Sequence, residues 1–159
     1  MAKLIYKSQK DASLLLFILS TALLGLFITL VTKANLSWYE RLVHTGFTIT
    51  PMSFGWGWTF VIVLSAIAAA LVLQDFKDVV DIGPFLVNGA MALAWVIVFF
   101  GFKELFIAFI VSLMLLVSVT AMILTARKTS EIAAWLLMPY LIWSGWIMIM
   151  NAALLVALR

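Results

Sequence analysis

The sequence predicts an all-α integral membrane protein, a five-helix transmembrane bundle, and three observations carry that prediction. Of its 159 residues 66% are hydrophobic and only 11% are charged, and the mean hydropathy is +1.21, a balance that ordinary soluble domains do not have. Five runs free of Asp, Glu, Lys and Arg reach or approach the ~20 residues that cross about 30 Å of hydrocarbon. The charged residues fall in the gaps between these runs. At this length the chain, residues 1–159, has room for one transmembrane domain and none for a separate soluble catalytic module.

The first run, Ala12 to Thr32, follows the basic segment MAKLIYKSQKD. It exceeds the ~7 to 15 apolar residues of a signal peptide, and the KANLSW after it offers a weak cleavage site, so it reads as a retained first helix. Residues 33–52 are too polar to span and too aromatic for a plain linker, containing Trp38, Tyr39, Glu40, Arg41, His44, Phe47 and Pro51. This segment is expected to fold back over the mouth of the bundle, as a lid or as an interfacial anchor, with Trp38, Leu42 and Arg41 on one face of a short helix. The second run is Ser53 to Leu73 and the third Ile82 to Phe100. Ser65 with Ala69, Ala66 with Ala70 and Ala90 with Ala94 are small-xxx-small pairs that favour close helix packing and suit a homodimer. Only Gly101-Phe102-Lys103-Glu104 parts the third run from the fourth, Leu105 to Thr125, which predicts a helical hairpin. The fifth, Ile132 to Leu158, is long enough to tilt or to project from the bilayer. With the amino terminus in the cytoplasm, Lys3, Lys7, Lys10, Lys77, Arg127 and Lys128 lie inside, against Lys33, Arg41, Lys103 and Arg159 outside.

Several functions are disfavoured at once. The absence of cysteine removes disulfides, thiolate metal sites and cysteine nucleophiles. A net charge of +3, scattered among loops, gives no support to nucleic-acid binding. No ionisable residue lies inside any of the five runs, which argues against a proton relay or a carboxylate-lined ion path. His44 is the sole histidine, and Asp75, Asp78 and Asp81 have the spacing of a solvated turn, so general acid–base and metal chemistry have little to work with.

Uncharged polar and aromatic groups remain. Trp135 to Asn151, WLLMPYLIWSGWIMIMN, sets one proline, one tyrosine and three tryptophans inside a single span. Trp143 and Trp146 lie roughly 12 to 17 Å along the helix from Trp135, in the bilayer interior and away from the interfacial belt. An indole there needs a partner for its N–H and a surface for its ring, so it faces another helix or a pocket. Asn88, Ser112, Tyr140, Ser144 and Asn151 add hydrogen-bonding groups that either orient a ligand in an apolar pocket or bond between helices.

These residues resemble the TspO and translocator protein family, the tryptophan-rich sensory proteins. The similarity runs from Ser37 onward in three blocks. Ala134 to Trp143, with Asn151 eight residues later, is similar to the family's LLxPYLxW and late LN. Trp95 to Gly101 resembles WSxxFFG, and Ser37-Trp38-Tyr39 through Phe47 to Trp58 keeps the spacing of WYxxLxKPxWxPP and the tryptophan after it. The resemblance implies a dimeric five-helix bundle whose first long loop covers a cavity for porphyrins, sterols or synthetic aromatic ligands. It implies ligand contacts from Tyr39, Trp58, Trp95, Trp143 and Asn151, with Trp58 and Trp143 at the positions associated with porphyrin chemistry. The chain departs from the pattern at His44 to Thr50, where the family's prolines are missing and its tryptophan is Phe47, and at Ala92, Val96 and Ile147. Each departure makes the cavity more apolar or narrower.

The expected function is therefore a membrane receptor or carrier for a planar hydrophobic molecule, a porphyrin or a sterol-like compound, with no resident cofactor or metal. Trp58 and Trp143 are expected to stack on or flank the ring, and Tyr39 and Asn151 to orient it. Light- and oxygen-dependent porphyrin breakdown is the enzymatic alternative, and a ligand-free accessory subunit is the structural one.

Overall fold

A computed structural model describes the backbone of residues 2–43, 46, 48–74 and 82–158, with side chains from residue 15 onward apart from those of residues 17, 43 and 74. His44, Thr45, Phe47 and the three aspartates 75, 78 and 81 lie outside the described residues. Six α-helices follow one another: α1 (Ala2–Ala34), α2 (Leu36–Val43), α3 (Pro51–Gln74), α4 (Gly83–Val96), α5 (Leu105–Thr129) and α6 (Glu131–Ala157). Four stretches are long and apolar enough to cross a membrane: Pro51–Leu73, Gly83–Phe102, Leu105–Thr129 and Glu131–Ala157. Ile18–Ala34 with Leu36–Leu42 makes a fifth, broken by a bend of 72°. The long helices close into a ring in the order α1, α3, α6, α5, α4 and back to α1.

Local chemistry explains where each helix starts and stops. Asn35 sits in the break between α1 and α2: its Nδ2 donates to the Val31 carbonyl, and its own carbonyl accepts the backbone N–H groups of Trp38 and Tyr39. One residue thus ends the first helix and begins the second. Helix α2 turns Tyr39 and Leu42 into the core, with Trp38 half-buried and Glu40 and Arg41 exposed. The aromatic face was expected, but Arg41 points away from it, because a guanidinium keeps its hydration outside while Tyr39 takes the inward position.

Thr50 starts α3, with its hydroxyl accepting from the backbone N–H of Ser53 at 3.3 Å and pairing with the Ser53 hydroxyl at 3.0 Å. Pro51 occupies the first turn, where its missing N–H costs nothing. Ser130 does the same for α6, accepting from Ala133 N–H, and is the single residue separating α5 from α6. Arg127 and Lys128 complement the carbonyl end of α5, and Glu131 the amide end of α6. Ala108 and Ala126 on α5 and Ala133 and Ala134 on α6 are buried, and these two helices pack closely together.

The end of α4 was less predictable. Its last turns widen into a π-helix over Ile97–Phe102, closed by Lys103 in the left-handed region with φ 60°. The helix therefore runs two residues beyond the expected Phe100. Phe99 and Phe100, both within the wide turn, are fully buried.

Helix α1 is the least embedded. Ile28 is its one buried side chain among the described residues, with Leu24 and Val31 packed partly against the core. Leu15, Leu16, Leu19, Leu23, Leu26 and Leu30 face outward, as lipid contact requires.

Candidate functional site

Ten aromatic rings from α2, α3, α4 with its π extension, and α6 gather at one end of the bundle. Phe54 is at their centre. Its ring lies within 5.2 to 6.5 Å of Tyr39, Trp58, Trp95, Phe100, Trp143 and Trp146. Trp95 stacks on Phe99 at 4.8 Å with 13° between planes. Trp38 meets Phe99 and Phe100 edge-on, at 5.2 and 6.2 Å, while the Lys103 ammonium sits 6.0 Å from the Trp38 ring centre. These contacts, with a hydrogen bond of 3.0 Å from the Tyr39 hydroxyl to the Ile49 carbonyl, seat α2 on the bundle. Residues 33–52 thus contain a short helix that covers the aromatic end.

Four of the five expected site residues, Tyr39, Trp58, Trp95 and Trp143, join this cluster. Trp58 lies 5.8 Å from Trp95 and 6.4 Å from Trp143, ring centre to ring centre. The Trp58 and Trp143 planes meet at 82°, edge to face, so the two indoles touch each other and leave no ring-thick slot between them. Tyr39, Trp95 and Asn151 are wholly buried. Asn151 donates from Nδ2 to the Ile147 carbonyl of its own helix at 2.8 Å.

Several polar atoms of these residues lack hydrogen-bond partners. The Nε1 donors of Trp58, Trp95 and Trp143 and the Oδ1 acceptor of Asn151 are buried without one. A buried polar group left unmade costs about 1–3 kcal/mol, so three indoles and an amide in that state mark a place where something else can supply the bonds.

Two cavities border the cluster, and Trp58 lines both. The larger is a groove of about 590 Å³ between α1 and α3, walled by residues that include Gly25, Ile28, Thr32, Pro51, Phe54 and Trp58. Exposed Met52, Thr59 and Val63 form its rim, so it opens sideways where lipid tails would lie. The smaller, about 200 Å³, lies further along the same seam and is lined by Ser65, Asn88, Ala92 and Tyr140 among others. Tyr39, Trp95, Trp143 and Asn151 border neither of the two; Tyr39, Trp95 and Trp143 pack behind Phe54 and Trp58. Ala92 was expected to make the pocket more apolar, and it does face the smaller cavity. Ile147 is fully buried.

Sequence reasoning missed Phe54, Phe99, Phe100 and Gly57. A phenylalanine in an apolar run carries no signal of its own, but the Phe99-Phe100 pair lay inside the family-like block and was the available clue. Gly57 has a specific role: a Cβ built on it overlaps the six-membered ring of Trp143, whereas Gly55, two residues earlier, has open space. Gly57→Ala is expected to push the Trp143 indole aside at about 1–3 kcal/mol, the usual cost of overpacking. Tryptophan emission and thermal unfolding in detergent measure it, with Gly55→Ala as the silent control.

Comparison with known proteins agrees with this architecture. The model of the TspO/MBR family matches residues 14–157. The tryptophan-rich protein TspO of Bacillus cereus is 28% identical over 141 residues, covering 86% of this chain and 90% of that protein. With its apolar spans and its buried aromatic cluster, the chain is a membrane-integral member of the TspO/MBR family.

Proposed function

We propose that this protein is a membrane receptor or carrier for a planar hydrophobic molecule, most simply a porphyrin, bound in the groove between α1 and α3 with one face on Trp58. The observation that carries the reading is the groove itself: its volume of about 590 Å³ falls within the ~300–1,000 Å³ of small-molecule sites, and Trp58 forms its inner wall. The unpartnered indole N–H groups behind that wall support it, because a ligand or a few waters that displace the cluster slightly gain bonds the protein leaves open. Entry from the side suits a molecule that partitions into the bilayer. Helix α1, held chiefly through Ile28, is the wall that can yield.

The test is a titration of the purified protein in detergent with protoporphyrin IX, following tryptophan quenching. Saturable quenching that is reduced in Trp58→Phe supports the reading, and quenching that rises linearly without saturation removes it.

One observation favours a second reading. Trp58, Trp143 and Trp146 form a chain of ring contacts at 6.4 and 5.0 Å, a path along which an indole electron can reach a photo-excited ring on Trp58. Loss of porphyrin absorbance under light in air, absent in the dark and in Trp143→Phe, distinguishes breakdown from binding alone.

A further inference from the structure

The two cavities along the α1–α3 seam share Ile28, Trp58 and Ile62 in their linings, so they are neighbouring compartments of one seam. Their polar equipment differs. In the outer groove the hydroxyls of Thr29 and Thr59 are spent on the carbonyls of Gly25 and Gly55 within their own helices. That leaves Thr32, whose Oγ1 is buried without a partner, and Lys33, exposed and in no ion pair among the described residues. Both border the groove where α1 bends into α2.

The inner compartment carries no charge. Its polar lining comprises Asn88 and Tyr140, 5% and 4% exposed, with Ser20, Thr21 and Ser65, whose hydroxyl donates to the Val61 carbonyl. Asn88 Nδ2 donates to Ser118 Oγ at 2.9 Å, and the same amide is hydrogen-bonded to the Tyr140 side chain. Both side chains line the compartment, and between them they carry a phenol O–H that can donate and an amide oxygen that can accept. A donor and an acceptor side by side match one hydroxyl group, which both accepts and donates. Lys33 and Thr21, at the two ends of the seam, are twelve residues apart on one helix, about 18 Å at 1.5 Å per residue.

We infer that the seam takes a two-headed amphiphile: an acidic group held by Lys33 with Thr32, an apolar body against Trp58, Ile28 and Ile62, and an uncharged hydroxyl at the far end received by Asn88 and Tyr140. This rests on the seam being the ligand site and adds the chemistry of its two ends. A charge at the inner end is excluded by the cost of placing it among apolar groups without a counter-ion. A hydrogen-bonding group there is favoured, because Asn88 and Tyr140 offer it bonds that lipid tails cannot make.

The experiment measures binding of radiolabelled 16-hydroxyhexadecanoic acid, hexadecanoic acid and hexadecan-1-ol to the full chain in phosphatidylcholine nanodiscs. The hydroxy acid is expected to bind about tenfold tighter than either single-headed compound, the effect of one added hydrogen bond to a polar or charged group. Lys33→Gln is expected to abolish the advantage over the alcohol only, and Tyr140→Phe the advantage over the plain acid only. Asn88→Leu should match Tyr140→Phe, and if it does not fold, Tyr140→Phe alone decides. Equal affinities for the three compounds, or ratios unmoved by both variants, overturn the inference. So does loss of the preference when phosphatidylglycerol is added to the nanodisc, which would identify a lipid headgroup as the partner of Lys33. The protoporphyrin titration keeps the two readings apart: saturable porphyrin binding with three equal affinities ends this inference alone, and a preserved preference without porphyrin binding ends the porphyrin reading alone.

Discussion

Trp58→Ala is expected to weaken protoporphyrin binding by about 30- to 150-fold, whereas Trp143→Phe weakens it only a few-fold. Trp58 is 3% exposed and forms the shared wall of both cavities, so truncation removes the ring face that a planar ligand rests on. Burying a large apolar contact and adding an aromatic pair together contribute about 2–3 kcal/mol, and each 1.4 kcal/mol is tenfold in affinity. Trp143 touches Trp58 from behind, edge to face at 6.4 Å, and borders neither cavity, so its replacement shifts the wall without removing it. Fluorescence titration of both variants, each checked by gel filtration for an unchanged elution volume, gives the comparison. Equal losses would place the ligand between the indoles, inside the cluster, and end the groove assignment.

Phe54→Ala is expected to cost about 3–5 kcal/mol of stability, the range for emptying a buried aromatic site. No part of Phe54 is exposed, and six other rings surround it from α2, α3, α4 and α6. The neighbours cannot collapse cheaply into the space, because each is fixed by a second contact: Trp95 by Phe99, Tyr39 by Ile49, and Trp143 by the close approach at Gly57. The loss should appear as a large drop in the thermal midpoint in detergent and as easier proteolysis between α2 and α3, since the lid rests on this ring through Tyr39. A Phe54→Leu variant is expected to recover much of the loss. A midpoint within two degrees of wild type in Phe54→Ala would show that the cluster is not the keystone of the lid.

The five spans were legible in the sequence because hydrocarbon imposes a one-dimensional rule: a charge cannot sit in the interior without a partner, so charge-free length alone locates each helix. The same rule located the covering segment, as the stretch too polar to cross. Trp143 stood out by depth within its helix, while Trp58 was visible only through family likeness, since a tryptophan near a helix start looks like an interfacial anchor. Trp135 behaves as that anchor, two-thirds exposed at the start of α6.

Other features depend on the fold. Phe99 and Phe100, in the π-helix, pack on Trp38 and Tyr39, residues some sixty positions away, a pairing that no local pattern encodes. Gly55 and Gly57 are equivalent by composition, and only the approach of α6 makes one of them obligatory. The amino-acid order by itself determined the all-helical membrane bundle, its covering segment, and the uncharged aromatic character of its interior. Tertiary structure alone decided that Trp58 and Trp143 meet edge to face instead of enclosing a slot, and that the open volume lies along the α1–α3 seam. The physical reason is that hydropathy specifies which residues leave water but not which of them face one another; in a bilayer every helix face is apolar, and the partner is chosen by shape and by the few hydrogen bonds left to make.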